Sequence, residues 1–255
     1  MKIGYRTPGL RDYSFEQKLQ LAKDLDLQAI EVAARELASE DDAKRLRHQA
    51  ADAGIAVTSV AADSNMCDPA LLTEVRDNIA GGVRLCQTLG IDVLFSRTLW
   101  PPEGVPQEDT WTACINATRE AVQICADGGV RFALEADPPC FVQDLERVER
   151  LLDGVSHPNM YVNYDPTNYY IGGSDPLLVI ERLGHLMVNG HIKDGVYRQE
   201  KKGETPIGEG DVNYAEIFRS MGEHNIDIAM NIEHCNTVER VTSAAKYIHS
   251  VLASM

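Results

Sequence analysis

The chain has 255 residues, and its 44% hydrophobic content is enough for a sizeable core and too high for a disordered protein. Its 24 basic and 39 acidic side chains give a formal net charge of −15, which argues against nucleic acid as a partner because nucleic-acid binders carry basic surfaces. No apolar segment approaches the roughly 20 residues of a membrane-spanning helix, so we expect no membrane partner.

Short β-branched segments alternate with longer segments of helical apolar spacing along the whole chain. The predicted strands are 2–6, 29–33, 56–61, 92–97, 131–136, 160–164, 186–192 and 227–232. The predicted helices are 15–27, 41–53, 71–89, 111–126, 145–152, 177–183, 214–224 and 238–252. Strands that alternate with helices pair in parallel, and eight such units in this length fit a closed barrel. We therefore predict an α/β fold, a single (β/α)₈ TIM barrel domain over residues 1–255. An open doubly wound sheet is the alternative, although no GxGxxG motif follows the first strand.

Several element boundaries carry their own signals. Glycine follows four of the predicted helices, where a left-handed residue ends a helix: Gly54, Gly90, Gly128-Gly129 and Gly184. Ser14 and Asp175 stand where helix N-caps are expected, the latter before a proline that suits the first turn. The segment 195–210 is predicted to be a long, polar, solvated charged loop, with a loop that closes over substrate as the alternative.

Polar side chains end four consecutive predicted strands. Glu135, Asp165, His191 and Glu233 stand at the C-terminal ends of the fifth to eighth strands, the end where barrel enzymes hold their active sites. Three carboxylates on one rim would repel each other without a cation among them. Oxygen-rich ligands with one nitrogen suit Mn²⁺ first, and Mg²⁺, Co²⁺, Zn²⁺ or Fe²⁺ as alternatives. The competing interpretation is that each residue caps an element or forms a separate ion pair.

Five motifs together resemble one family. They are 134–138 (LEADP), 163–168 (NYDPTN), 191–194 (HIKD), 206–212 (PIGEGDV) and 232–234 (IEH). The chain resembles the xylose isomerase-like TIM barrels, the superfamily of sugar-phosphate isomerases and epimerases that also includes the family 2 AP endonucleases. This resemblance implies that Glu135, Asp165, His191 and Glu233 ligate one catalytic divalent metal.

The chain also departs from that family. Many members carry a histidine three residues after the sixth-strand aspartate, where this chain has Asn168. The extra histidines of the endonucleases are missing from the predicted third and fourth strand ends. A trinuclear zinc cluster therefore lacks ligands, and DNA repair is disfavoured by both the ligand count and the charge.

The resemblance also implies that Glu135 and Glu233 face opposite sides of the reacting carbon, and we interpret them as the catalytic acid/base pair. A metal would polarise a carbonyl and stabilise the enediolate that follows proton loss. We predict an enzyme, a metal-dependent isomerase or epimerase of a small keto-sugar or inosose-like keto-polyol. The alternative is a dehydratase or lyase that acts by β-elimination on a 3-keto sugar, a keto-inositol or a dehydroshikimate-like acid. A non-catalytic sugar-binding or partner subunit is the alternative of another class.

Further residues near the same rim are candidates for substrate binding. They are Arg6, Trp100, Asn168, Lys193 and His234. For the charged ones the alternative is a structural ion pair, and for Trp100 a hydrophobic lid or subunit contact; His234 has a solvated position as its alternative. The expected partner is a small sugar or polyol, and a second copy of the chain is a further candidate partner. The six cysteines form no CxxC pair and the N-terminal residues lack a signal peptide's apolar region, so we expect a cytoplasmic protein.

Overall fold

The computed structural model describes residues 1–138, 140–198 and 201–255. Eight strands close a parallel barrel: β1 (Lys2–Arg6), β2 (Ala29–Ala33), β3 (Ala56–Ala61), β4 (Val93–Ser96), β5 (Arg131–Glu135), β6 (Met160–Tyr164), β7 (Met187–Ile192) and β10 (Ala229–Ile232). A separate antiparallel hairpin joins β8 (Gly195–Arg198) to β9 (Lys201–Glu204). The predicted α/β barrel is confirmed.

Helices follow the barrel strands and surround them. They are α1 (Phe15–Asp24), α2 (Glu40–Ala53), α3 (Leu72–Leu89), α4 (Gln107–Asp127), α5 (Leu145–Val155), α6 (Pro166–Ile171), α7 (Pro176–Leu183), α8 (Tyr214–Glu223) and α9 (Val238–Ala253). The short helix α6 was not predicted, because its six residues are too few for an apolar period. In the described part of the chain, no helix combines the length and apolarity needed to cross a bilayer.

The barrel closes where β1 pairs with β10, in the register Tyr5 to Ile232. Alternate residues of each strand point to opposite faces. The outward ones, such as Ile30, join the main hydrophobic core between strands and helices. A small inner cluster of Ala33, Ala61, Val93, Phe95 and Ala133 lies inside the barrel. Small inner side chains leave room for the polar groups described below.

Most of the predicted boundary signals are confirmed. At the end of α4, Gly128 keeps a φ of −87° and the next residue, Gly129, is the left-handed one at 71°. Ser14 accepts a hydrogen bond from the Gln17 backbone N–H, and Gly54 ends α2 at a φ of 70°. Gly184 does not adopt the predicted left-handed conformation, because its φ is −55° and a 3₁₀ turn continues the chain there. A Cβ atom at Gly184 would lie 2.7 Å from the Ile226 side chain, so close packing accounts for this glycine.

The predicted loop 195–210 is partly regular, which corrects the sequence interpretation. Its first half forms the β8–β9 hairpin, although residues 199 and 200 lie outside the described residues. Asp194 fastens the segment beyond the hairpin. Its buried carboxylate accepts hydrogen bonds from the backbone N–H groups of Gly195 at 2.9 Å, Gly208 at 2.9 Å and Gly210 at 3.0 Å. The segment is therefore tied back to the end of β7.

Candidate metal and substrate site

The structure brings the four predicted ligand residues into one cluster. Glu135 ends β5, Asp165 follows β6 as the N-cap of α6, His191 lies in β7, and Glu233 follows β10. One ligand atom from each lies within 4.8 Å of the others, and all four side chains are buried. Parallel register explains the assembly, because each residue is an inward-facing position at the same end of its strand.

The oxygen and nitrogen atoms of this cluster fit a divalent cation. The Nδ1 atom of His191 lies 3.2 Å from Oε1 of Glu135 and 3.6 Å from Oε2 of Glu233. Asp165 Oδ2 and Glu233 Oε1 are buried without a hydrogen bond from any described residue. Three carboxylates and one imidazole are ligands for Mn²⁺, Mg²⁺ or Zn²⁺. The cluster therefore supports one divalent ion without determining which.

Lys193 faces the same two oxygen atoms. Its Nζ atom lies 3.2 Å from Oδ2 of Asp165 and 3.0 Å from Oε1 of Glu233, and only 6% of the residue is exposed. The Tyr214 hydroxyl fixes the Lys193 backbone by accepting from its N–H at 3.0 Å and donating to its carbonyl at 2.6 Å. The predicted substrate residue Lys193 is thus in the cluster, in the ion pair that was its structural alternative.

Burial and charge shift the pKa values of these groups in different directions. Burial raises the pKa of Asp165 to about 7, although the Lys193 ammonium acts against that shift. Burial also tends to raise the pKa of Glu233, but the positive charges of Lys193, His191 and Arg6 hold it well below the usual range. Burial opposes protonation of His191, yet the surrounding carboxylates raise its pKa well above normal. A metal at Nδ1 would therefore have to displace a tightly held proton.

Glu31, in the middle of β2, is a site residue that sequence reasoning missed. Its carboxylate is fully buried and lies 3.0 and 3.1 Å from Nε2 of His191. It also accepts from Ser59 Oγ at 2.7 Å and Asn189 Nδ2 at 2.8 Å, and it lies 2.5 Å from Nε of Arg6. The signal in the sequence was one acidic residue inside an otherwise apolar strand (AIEVA).

Three buried asparagines form a layer beneath the cluster. Asn189 donates to Asn163 Oδ1 at 2.7 Å, and Asn231 donates to Asn189 Oδ1 at 3.2 Å. Asn163 in turn places Nδ2 3.2 Å from Nδ1 of His191. These residues come from β6, β7 and β10, so the ligand-bearing strands share one hydrogen-bonded floor.

Arg6 and Asn168, two of the predicted substrate residues, also lie at the cluster, and Arg6 forms the ion pairs that were its structural alternative. Arg6 Nη1 donates to Oε2 of Glu233 at 2.6 Å, which joins the first strand to the last. Asn168 donates from Nδ2 to Oε1 of Glu135 at 3.0 Å, and its backbone N–H donates to Oδ1 of Asp165 at 2.9 Å. Asn168 therefore orients two of the candidate metal ligands.

His234 and Trp100 lie farther out. His234 places Nδ1 2.5 Å from Oε1 of Glu204 in β9 and Nε2 3.7 Å from Oε1 of Glu233. It therefore links the hairpin to the rim while staying 43% exposed at its side chain. Trp100 is 52% exposed in the segment that follows β4, and no described contact brings it to the cluster.

Two cavities share Glu233 and His234 in their lining. One of 240 Å³ is also lined by Lys193 and by Glu204 of the hairpin. The other, of 260 Å³, is also lined by Arg6 and further arginines. Both lie just below the roughly 300 Å³ at which ligand pockets usually start, so they suit only a compact molecule.

Comparisons with known proteins agree with this architecture. An inosose dehydratase from Clostridium botulinum (strain Alaska E43 / Type E3) is 23% identical over 141 residues, 49% of this chain and 47% of the relative. A 3-dehydroshikimate dehydratase from Bacillus anthracis is 26% identical over 122 residues, 42% of this chain and 44% of the relative. The chain thus aligns with less than half the length of these two curated relatives.

Solved structures share the fold at low sequence identity. The 3-keto-D-glucoside 4-epimerase YcjR from E. coli superposes with a TM-score of 0.85 at 14% sequence identity, and the alignment covers 99% of each chain. The IOLI protein, solved with a bound zinc atom, has a TM-score of 0.81 at 19% identity over 100% of this chain and 99% of its own. The sequence model of the xylose isomerase-like TIM barrel matches residues 19–251. The chain therefore belongs to the xylose isomerase-like TIM barrel family.

Proposed function

We propose that the chain is a divalent-metal-dependent dehydratase of a small polyhydroxylated ketone. The observation that carries the proposal is the buried four-residue cluster with the Lys193 ammonium 3.0 Å from Glu233 Oε1. The dehydratases among its curated relatives support the reaction class. Glu135, Asp165, His191 and Glu233 would hold the ion, whose chemistry there is polarisation of the substrate carbonyl and stabilisation of negative charge on its oxygen.

The residues around the cluster suit removal of a proton next to that carbonyl. Glu233 is ionised at neutral pH because its pKa is held low, and its Oε1 faces the Lys193 ammonium at 3.0 Å. That oxygen can therefore take the proton from carbon. Burial disfavours the ammonium form of Lys193, but Asp165 and Glu233 keep its pKa well above normal, so it stays a proton donor.

Loss of water then follows from the position of these two groups. Lys193 gives a proton to the departing hydroxyl, so that water leaves and a carbon–carbon double bond forms beside the carbonyl. Lys193 recovers its proton from Glu233, and both residues return to their starting states. Because Nζ and Oε1 are 3.0 Å apart, base and acid act on the same face of the substrate.

Epimerisation or isomerisation is the second candidate, and a different contact favours it. Glu135 ends β5 and Glu233 follows β10, two barrel strands separated by β6 and β7, so the two carboxylates can approach a carbon between them from different strands. Delivery of a proton by a protonated Glu135 to the opposite face would invert that carbon, and proton exchange with solvent would restore both carboxyl groups. Return to the neighbouring carbon would interconvert an aldose and a ketose. The structural likeness to a 3-keto-D-glucoside 4-epimerase is consistent with this outcome.

The first test is metal content. We expect about one divalent ion per wild-type chain by elemental mass spectrometry and a loss of that ion in Asp165→Ala. Manganese is the ion we expect to support the highest activity. Absence of any ion under every loading condition would contradict the proposal.

The second test separates the reactions. The Mn²⁺-loaded protein is incubated in D₂O with an inosose, 3-dehydroshikimate and a 3-keto sugar. Dehydration adds a double bond to the ring and changes the ultraviolet absorbance, whereas an epimerase returns a deuterated epimer without that change. Glu233→Gln should lose both signals while retaining the fold. A metal-loaded protein that neither exchanges deuterium nor converts any ketone would contradict catalysis and support a binding subunit.

A further inference from the structure

We propose that four arginines beside Glu233 form a subsite for a carboxylate group of the substrate, which makes that substrate a small cyclic keto acid. The subsite, called here the arginine pocket, is the 260 Å³ cavity lined by Arg6, Arg11, Arg35 and Arg97. The inference rests on the proposed function for the reaction, but it concerns how the substrate is selected.

Two of the four arginines are held in place by carboxylates. Arg6 lies between Glu31, 2.5 Å from its Nε, and Glu233, 2.6 Å from its Nη1. Arg97 donates to both carboxylate oxygens of Asp63, at 3.0 and 2.6 Å. Its Nη1 also donates to Oδ2 of Asp137, which follows β5, at 2.6 Å. These two side chains form a fixed wall whose charge is already matched.

The other two form no short contact with a carboxylate. Arg11 follows the first 3₁₀ turn and Arg35 lies in the turn after β2, and both are exposed. Within residues 1–138, 140–198 and 201–255, neither forms a hydrogen bond or an ion pair. Most arginines elsewhere do, such as Arg76 with Glu120 and Arg182 with Glu149. In a chain of net charge −15, two guanidinium groups that line one cavity without an ion pair favour an anionic ligand.

Position links this cavity to the proposed chemistry. Glu233 and His234 line it together with the arginines, so an anion held there lies beside the proposed catalytic carboxylate. Arg11 and Arg35 also line a neighbouring cavity of 500 Å³, so they stand between the arginine pocket and a wider opening. Arg6 and Arg35 both help to lower the pKa of Asp63, which agrees with their convergence on that wall.

Size and geometry favour a carboxylate over a phosphate. A guanidinium is planar and binds a planar carboxylate through two parallel hydrogen bonds. The 260 Å³ volume is small for a ligand pocket, so it suits one ring with a compact charged substituent. A neutral cyclic polyol would leave Arg11 and Arg35 unmatched. The pocket therefore favours a dehydroshikimate-like acid over an inosose.

Binding can be measured without turnover. The full-length Mn²⁺-loaded protein is titrated calorimetrically with shikimate, which has the ring and carboxylate but no ketone, and with myo-inositol, a neutral cyclic polyol. We expect shikimate to bind at least about tenfold more tightly. In the Arg11→Gln/Arg35→Gln double variant, shikimate affinity should fall by about tenfold or more and myo-inositol affinity should stay unchanged.

Arg45→Gln is the matched control, because Arg45 is an exposed arginine of α2 that pairs with Asp42 outside the pocket. It should leave shikimate binding unchanged. Equal binding of the two ligands, or a double variant that binds shikimate like wild type, would overturn the inference. Binding of inorganic phosphate by a protein that does not bind shikimate would overturn the carboxylate assignment. Arginine-dependent binding in a protein that dehydrates no ketone would instead refute the proposed function and leave the subsite standing.

Discussion

Replacement of Glu31 by glutamine should weaken metal binding although Glu31 is not a proposed ligand. Both Glu31 oxygens lie within 3.1 Å of Nε2 of His191, and a carboxylate can only accept hydrogen bonds. Nε2 must therefore carry a proton, which leaves Nδ1 as the nitrogen that faces Glu135 and Glu233. Glu31 thus selects the imidazole tautomer that a metal at the cluster requires.

The size of the effect follows from what glutamine changes. An amide keeps the shape but loses the negative charge that strengthens the imidazole as a ligand. Its NH₂ group would also face donors, because Arg6, Ser59 and Asn189 all place nitrogen or hydroxyl groups on this carboxylate. Loss of such a partner typically lowers metal affinity by about 10–100-fold, equivalent to about 1.4–2.7 kcal/mol.

The assay is competition for Mn²⁺ or Zn²⁺ against a chromophoric chelator, with thermal unfolding of the metal-free proteins beside it. Ser59→Ala is the control, because it removes one hydrogen bond to Glu31 and leaves the contact with His191 intact. It should change the metal affinity far less than Glu31→Gln. An intact, metal-free Glu31→Gln protein with wild-type metal affinity would refute the reasoning.

Three further predictions concern other parts of the site. Lys193→Met should lower the dehydration rate by at least about 100-fold but retain deuterium exchange at the substrate carbon. It should also tighten metal binding, because the ammonium no longer competes for Asp165 and Glu233. The control Lys18→Met, which breaks the buried ion pair with Glu36, should change neither property. Asp194→Ala should release the segment after the hairpin, since three glycine N–H groups lose their acceptor. We expect faster limited proteolysis between residues 204 and 212 and a higher KM. An unchanged cleavage rate would contradict the role of Asp194. Burial raises the pKa of Asp63, but Arg97 outweighs it and holds the pKa below its ordinary value of 3.8. The Asp63–Arg97 pair therefore stabilises the fold above about pH 4 and loses that contribution as the pH falls through the pKa of folded Asp63. In acid, the melting temperature of Asp63→Asn should decline less steeply than that of wild type. Parallel declines would refute the assignment.

The barrel and the four-residue cluster could be predicted because both follow from local pattern. Strand and helix periods repeat along the chain, and a parallel barrel sends every strand end to one rim. Glu135, Asp165 and Glu233 are found simply by asking what ends each strand. His191 follows by the same rule, although the structure places it just inside β7.

The remaining site residues depend on contacts that no local pattern carries. Glu31 is in mid-strand, and only the closed barrel turns it towards His191, 160 residues away. Arg11 and Arg35 lie in connecting segments, so their convergence depends on the paths of two separate turns. The hairpin was hidden because glycines and lysines are weak strand formers, and cross-strand pairing decides such cases.

The seam between the first and last barrel strands has a consequence for assembly. Arg6 meets Glu233 across 227 residues of chain, so the site is incomplete until β1 and β10 have paired. A partly folded chain therefore presents only fragments of the ligand set, and tight metal binding is confined to the closed barrel. Any ion bound there shifts the folding equilibrium towards closure by mass action, with a gain that grows as its free concentration exceeds the dissociation constant. Metal supply would then regulate the abundance of folded protein as well as its activity.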